Sequence, residues 1–380
     1  SMQALLSYDQ SPPIGAPFRF FLTAPIFGIL AGLLLLWSGP GLFDSRWTPA
    51  ALALTHLITV GFMLQAMFGS LIQILPVVIG ANMARPLRVA AIVHAAISLG
   101  TLFLVAAFLS FEPILFKIAS ILLGFGVVYF VGSAARALVG IPATSPTVQG
   151  LKLALVGLTV TVGLGVLLTV SLGWSLNQPL MQLAQIHLGW GLVAWGTVLL
   201  AAVGYVVVPM FQLTPAYPDW FGARFSIVTL AVVSLWTLAE LSGLDFASAL
   251  FGAGVVALAA LFAGVTLNIQ RRSKRARFDA SQHYWRVAMV SALAACAVWL
   301  TARIVPTMAE WQGWPLLCGV LLLVGGFMSV IVGMLYKIVP FLVWLHLQNH
   351  GRGQVMAPNM KKIIAEKDMN RQMLAHFLQR

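Results

Sequence analysis

Three residues that can bind a transition metal recur along the chain at a constant interval. The interval from His56 to His187 equals that from His187 to Cys318 (187 − 56 = 318 − 187), and each residue lies near the start of a long apolar run. A neutral imidazole nitrogen is a common ligand for transition metals, and a cysteine sulfur suits a soft metal such as copper. The recurrence predicts that equivalent elements place these side chains at one level of the fold.

The composition indicates what kind of elements these are. Of 380 residues, 60% are hydrophobic and only 8% are charged, with a mean hydropathy of +0.94. A soluble domain normally carries about 25% charged residues, so the composition predicts an integral membrane protein. The two cysteines, Cys296 and Cys318, lie in apolar runs without a CxxC pair and indicate no disulfide framework.

Ten segments are long and apolar enough to cross a bilayer as helices, which needs roughly 20 residues each. The sequence therefore predicts an all-α, polytopic bundle over residues 1–355. The expected spans are approximately 17–37, 51–80, 88–110, 114–135, 152–174, 182–211, 223–242, 247–268, 284–304 and 314–345.

Basic residues fall on alternate connections between these spans. The other connections hold most of the acids, so the positive-inside rule predicts that both termini are cytoplasmic. This distribution explains most of the formal charge of +12 without a nucleic-acid partner. The bases on the predicted cytoplasmic side are Arg85, Arg88, Arg136, Lys152, Arg224, Arg271, Arg272, Lys274, Arg275, Arg277, Arg352, Lys361 and Lys362.

An internal repeat is visible in the three longest spans. Pro76, Pro209 and Pro340 stand near their ends, at nearly equal intervals (209 − 76 = 133 and 340 − 209 = 131). Four spans fill each interval, so we expect pseudo-threefold repeats at about 17–140, 150–270 and 284–346, the third truncated to two helices. An uncovered third side would suit a second copy of the chain, which predicts a homo-oligomer.

The histidines and the prolines should lie at opposite ends of the bundle. His56 and His187 precede Pro76 and Pro209 by similar intervals (76 − 56 = 20 and 209 − 187 = 22), each of which is roughly 30 Å of helix. The polar tail 356–380 shows apolar residues at helical spacing and is expected to form an amphipathic helix on the cytoplasmic face, with His376 solvated.

The second span resembles helix II of the heme–copper oxidase subunit I superfamily. It runs from Thr55-His56 to Ile74-Leu75-Pro76-Val-Val-Ile-Gly80 and continues to Pro86. The opening Pro17-Phe-Arg-Phe-Phe21 resembles the short NnrS-like branch, which is associated with heme, copper and nitric oxide. The resemblance covers about residues 17–346 and implies a protein of a bacterial-type inner membrane that binds heme b.

The resemblance also implies roles for particular residues. His56 would be an axial heme ligand, and His187 would be the opposite axial ligand or a metal ligand, with Gln185 and Trp190 as its partners. Lys117, Arg303 and Arg46 would pair with the heme propionates.

The chain departs from the oxidases at the remaining metal ligands. The last span has no histidine in its outer half, and the seventh and eighth spans have none at all. A complete oxygen-reducing heme–copper centre is therefore not expected. The implied role is nitric-oxide-related or electron transfer, and whether the protein turns over a substrate stays open.

A second interpretation keeps the bundle and drops the heme. The protein would then be a transporter or a copper-handling protein, with His56, His187, Cys318 and Met63 as soft ligands. Lys337, in apolar surroundings, would either snorkel to the cytoplasmic interface or line a proton or anion path. His94 is expected to hydrogen-bond between helices.

Overall fold

The computed structural model describes residues 8–351, 371–374 and 376, and these residues form helices and connections without a β-strand. Within these residues ten helices are long and apolar enough to span a membrane, which confirms the prediction of an all-α bundle. We number them α1 (Gly15–Asp44), α2 (Pro49–Ile79), α3 (Pro86–Ser110), α4 (Pro113–Leu138), α5 (Pro146–Gly173), α6 (Leu180–Gln212), α7 (Asp219–Leu241), α8 (Asp245–Arg271), α9 (Ala280–Ile304) and α10 (Trp314–Asn349).

Local sequence explains where several helices begin. The Thr48 hydroxyl accepts a hydrogen bond from the Ala51 N–H at 3.2 Å, and the Ser145 hydroxyl accepts one from the Val148 N–H at 3.1 Å. A proline follows each of these two caps at the first helical position, where its missing N–H costs no hydrogen bond within the helix. The caps fix the starts of α2 and α5.

The outer surface of the bundle is apolar. Leu36 is 83% exposed, Phe246 82%, Val128 71% and Ile121 65%. Water would not tolerate so many large exposed hydrophobic side chains, whereas lipid tails contact them without cost. The surface and the ten apolar helices identify a multi-pass membrane protein.

Helices α2, α6 and α10 share a backbone irregularity at one phase. Each contains an eight-residue π-helical segment, at Leu57–Leu64, Trp190–Thr197 and Leu321–Met328. Each segment begins at the same interval before the proline of its helix (76 − 57 = 209 − 190 = 340 − 321). Because π-helical segments are rare and are frequent at functional sites, three at one phase mark these helices as equivalent parts of the fold.

The helix preceding each of these three packs closely against it at a small residue. A Cβ added to Gly69 would lie 3.0 Å from the Pro17 carbonyl oxygen on α1, and one added to Gly333 would lie 2.7 Å from the Tyr284 Cβ on α9. At the same phase of α6, Ala202 packs against Gly150 of α5, where an added Cβ would lie 2.7 Å from the Ala202 Cβ. Small residues let membrane helices approach this closely.

The three helices with π-helical segments are enclosed to different extents. Buried residues make up 83% of the apolar window of α2 and 72% of that of α6, but only 33% of that of α10. The π-helical segments of α2 and α10 touch, and Gly196 of α6 packs against the Phe327 ring of α10. Within the described residues the third repeat has only α9 and α10 as long helices, which is why α10 has less cover.

The C-terminal residues 371–374 and 376 are helical and contact α9 and α10. The Tyr336 hydroxyl donates to Gln372 Oε1 at 2.7 Å, and His376 Nε2 lies 3.2 Å from the Ser329 hydroxyl and stacks edge-on against Tyr284. The expectation of a solvated His376 is therefore wrong, because its ring lies against the helices. The rest of the predicted tail helix 356–380, together with Arg352, Lys361 and Lys362, lies outside the described residues.

Two other polar expectations have clear outcomes. The His94 Nε2 lies 2.6 Å from the Thr23 hydroxyl of α1, which confirms its interhelical hydrogen bond. Lys337 makes an ion pair with Asp279 at 2.7 Å, and the two side chains are 23% and 18% exposed. Asp279 is the N-cap of α9, so Lys337 ties α10 to the start of its neighbour.

Candidate functional site

A large internal cavity occupies the end of the bundle that holds His56 and His187, which we call the histidine end. Its volume is about 1510 Å³, and both histidines, Cys318 and Met63 line it. The opposite end, with Pro76, Pro209 and Pro340, is the proline end. Pockets for one drug-sized molecule measure roughly 300–1,000 Å³, so this cavity can hold a large cofactor.

His56 is held in one orientation by its own helix. Its Nδ1 lies 2.7 Å from the Leu52 carbonyl oxygen one turn earlier, and its ring packs against Phe108 of α3 with 5.1 Å between centroids. A carbonyl oxygen can only accept, so Nδ1 carries the proton and the neutral ring keeps its lone pair on Nε2. The π-helical segment of α2 begins at the next residue.

His187 is oriented in the same way by a neighbouring helix. Its Nδ1 lies 2.7 Å from the Thr161 carbonyl oxygen on α5, which again leaves the lone pair on Nε2. The ring packs against Gly165, where an added Cβ would lie 3.0 Å from His187 Cε1. Glycine is needed at this position because any larger side chain would displace the imidazole.

The two imidazoles line the same cavity. In the part of the chain that the structure describes, neither Nε2 has a hydrogen-bond partner. Each imidazole therefore has the tautomer in which a histidine side chain can bind a metal ion.

A cation without an acidic partner stands at the mouth of the cavity. The Arg46 guanidinium stacks on Trp47 at 4.3 Å and donates to the neutral Gln185 Oε1 at 3.2 Å. No carboxylate within the described residues pairs with it. Burial lowers the pKa of Arg46 from its ordinary value because the charged form loses hydration. An anionic group in the cavity would compensate that loss.

Arg303 and Lys117, the other two cations that the resemblance assigned to the heme propionates, differ in whether they reach the cavity. Arg303 lines the cavity and stacks on Trp299 at 4.8 Å. Lys117 lies over the Trp174 ring at 5.1 Å and packs on Gly173, outside the cavity lining. Arg46 and Arg303 are therefore available to a ligand in the cavity, and Lys117 is not brought to it.

The copper ligand set is not assembled as a compact site. Cys318 donates weakly to the Ala295 carbonyl oxygen at 3.6 Å, and Met63 is 4% exposed. Across the described ranges no three His, Cys, Asp or Glu side chains come together as ligands of one metal ion. The cavity thus brings His56 and His187 together, with Cys318 and Met63 elsewhere on its wall.

The prediction that Gln185 and Trp190 are the partners of His187 is wrong. Gln185 binds Arg46, and the Trp190 Nε1–H donates to Thr237 of α7 at 2.8 Å. The residues that do orient His187 are Thr161, through its main-chain carbonyl, and Gly165. Sequence reasoning missed both because a backbone carbonyl has no side-chain signature, and Gly165 is one of 34 glycines.

The comparisons with known proteins yield no family assignment. No protein-family model matches the chain, and no curated protein matches it. The resemblance to the heme–copper oxidases consequently rests on the residues quoted above, and the geometry of the cavity is the basis for a functional conclusion.

Proposed function

We propose that the cavity binds heme b between α2 and α6, with His56 and His187 as axial ligands. One observation supports this most directly. Both imidazoles face one cavity with Nδ1 bound to a main-chain carbonyl and Nε2 without a partner among the described residues. This is the neutral tautomer that a heme iron requires of a histidine.

The remaining residues at the cavity fit a heme. The mouth carries Arg46 and Arg303, two cations without carboxylate partners in the described chain, and heme propionates are anionic. The interior is mostly apolar, as the porphyrin ring requires, and Gly165 lets the His187 ring pack against α5. The volume of about 1510 Å³ is ample for one such group.

The chain's own residues would set what the site does. The main-chain carbonyls of Leu52 and Thr161 hold the imidazoles in place. Bound heme would supply one-electron chemistry if both histidines held it, or binding of a diatomic gas such as nitric oxide if only one did. The proposed role is electron transfer or nitric-oxide handling by a relative of the NnrS-like branch.

The proposed setting is a bacterial-type inner membrane with both termini in the cytoplasm. Bases cluster at the proline end, where Arg85 precedes α3, Arg136 lies in the last turn of α4, and Arg271 ends α8. The positive-inside rule then assigns the histidine end and its cavity to the outer side.

An absorption spectrum of the purified protein tests the proposal. We expect a Soret band and sharp reduced α-bands, and we expect His56→Ala and His187→Ala each to lower heme occupancy by at least about tenfold. His94→Ala, which removes a histidine outside the cavity lining, is the control and should keep the spectrum.

A glycine pair separates ligand orientation from general packing. Gly165→Ala should displace His187 and shift the spectrum, whereas Gly163→Ala on the same helix meets no atom within 4 Å and should leave it unchanged. A colourless, folded protein with copper by elemental analysis would reject heme and favour the copper-handling alternative. A colourless, metal-free protein would favour the transporter.

A further inference from the structure

The cavity is lined by two sets of residues on different helices. His56, Thr161 and His187 belong to α2, α5 and α6, and we call their side of the cavity the histidine lobe. Trp236, Cys296, Trp299, Arg303 and Cys318 belong to α7, α9 and α10, and we call their side the tryptophan lobe. At about 1510 Å³ the cavity exceeds what one small molecule usually occupies, so the two lobes can hold two ligands.

Trp236 is held in the wall of the tryptophan lobe by two glycines. A Cβ added to Gly189 of α6 would lie 2.4 Å from its Cζ3, and one added to Gly252 of α8 would lie 3.5 Å from its Nε1. The side chain is only 8% exposed. The position of the Trp236 ring therefore depends on Gly189 of α6. Gly189 faces α7, whereas His187, two residues earlier, faces α5 on the opposite side of the helix.

The indole N–H of Trp236 is a donor in a buried side chain and has no acceptor in the described residues. Trp190 shows the contrast, because its Nε1–H donates to the Thr237 hydroxyl at 2.8 Å. Buried polar groups almost always have a partner, from the protein, from water or from a ligand. In the described residues this donor is left open in the wall of a mostly apolar cavity, so a ligand that carries an acceptor can satisfy it.

Three other polar side chains on this side of the cavity are already engaged. The Ser248 hydroxyl donates to the Glu240 carboxylate, the Cys296 thiol to the Val256 carbonyl oxygen and the Cys318 thiol to the Ala295 carbonyl oxygen. Arg303, the charged group stacked on Trp299, is exposed. The part of the lobe around Trp236 thus offers apolar walls and a hydrogen-bond donor, and the Glu240 carboxylate nearby accepts from Ser248.

We propose that the tryptophan lobe binds an uncharged, lipid-soluble carbonyl compound of the quinone class, with the Trp236 indole N–H donating to a carbonyl oxygen. An apolar ring fits the walls, and a carbonyl oxygen satisfies the open donor. An apolar ligand can enter from the bilayer that surrounds the helices. This site does not depend on the presence of heme in the histidine lobe.

Equilibrium binding of a decyl-substituted benzoquinone to the purified protein tests this site. We expect saturable binding that Trp236→Phe weakens about three- to tenfold, because the ring stays and one neutral hydrogen bond is lost. Gly252→Leu should abolish binding, since its side chain would extend into the lobe beside Trp236. Trp174→Phe, at a 47% exposed ring outside the cavity lining, is the matched control and should bind like the unmodified chain.

The outcomes separate this site from the heme proposal. His56→Ala and His187→Ala should retain quinone affinity whether or not the protein is coloured. Non-saturable binding, or equal affinity in the unmodified chain and in Trp236→Phe, would overturn the proposal. So would a co-purified phospholipid that native mass spectrometry detects and that the benzoquinone does not displace. If Gly252→Leu fails to fold, the comparison of Trp236→Phe with Trp174→Phe decides alone.

Discussion

The first and third repeats differ in what covers the same position of their second helix. Gln65 in α2 and Ser329 in α10 stand at the same interval before the proline of their helix (76 − 65 = 340 − 329), and both are 0% exposed. The Gln65 amide donates to Ser98 of α3 at 2.9 Å, whereas Ser329 lies 3.2 Å from His376 of the C-terminal segment.

This difference shows that the same helix geometry in two repeats can pack against different neighbouring segments. In the first repeat the neighbour is the full-length helix α3, and α2 is 83% buried over its apolar window. In the third repeat the described neighbour at this position is a short segment, and the buried share of α10 is 33%. The contacts with the preceding helix, by contrast, are alike in both repeats, so they should contribute equally to the stability of the fold.

The largest expected effect comes from the close contacts that the repeats share. Gly69→Val would drive new atoms into Phe21 and the Pro17 carbonyl, and Gly333→Val into the Tyr284 Cβ. Each should lower the free energy of unfolding by about 3 kcal/mol through overpacking. Thermal unfolding in detergent measures this.

Gly319→Val in α10 is the control, since an added Cβ there meets no atom within 4 Å. A strong effect of Gly69→Val together with a null effect of Gly333→Val would break the equivalence of the two repeats.

An intermediate effect on stability is expected at a position where the first and third repeats differ in charge. Lys337 of α10 corresponds to Gln73 of α2, because both stand at the same interval before the proline (340 − 337 = 76 − 73). Lys337→Gln makes the third repeat like the first but leaves Arg275, at 3.8 Å, as the ion-pair partner of Asp279 among the described residues.

We expect a loss of about 1–2 kcal/mol, because the pair is partly shielded from water, and a smaller loss at high salt. Chemical unfolding at two ionic strengths measures it. Lys274 is exposed and lies in the connection between α8 and α9 that also holds Asp279. The stability of Lys274→Gln should stay within about 0.5 kcal/mol of that of the unmodified chain. Equal losses for the two variants would show that the ion pair contributes nothing of its own.

The smallest effect concerns the C-terminal segment. Met373 packs against the cluster of Ala280, Tyr284 and Tyr336, so Met373→Ala should cost about 1 kcal/mol of stability through lost apolar contact. Leu374→Ala, at a 59% exposed neighbour, should be nearly neutral. Indistinguishable melting curves for the two variants would mean that the segment does not stabilise α9 and α10.

Much of the architecture could be predicted because each helix must cover its own length of membrane with apolar residues. All ten spans were found, but several begin earlier than expected. The observed starts of α7 and α9 are Asp219 and Ala280, against expected starts at 223 and 284. Polar residues in the first turns resembled connections, since Asp279 and Gln282 form a capping box that carries no hydropathy signal.

The candidate site was predictable only in part. The spacing of His56 and His187 predicted that they lie at one level, and both line one cavity. It could not show that Thr161 and Gly165 orient His187, or that Trp236 has no acceptor in the described residues, because these facts depend on which faces of α5, α6 and α7 meet.

The sequence by itself determined the class, the number of helices and the phase of the repeat, since hydropathy and proline spacing act along one helix at a time. Only the tertiary structure decided which polar atoms are paired and which stay open. Pairing depends on helix rotation and on contacts between residues far apart in the chain, such as Ser329 and His376. A backbone carbonyl or a glycine can fix such a contact without any mark of its own in the sequence.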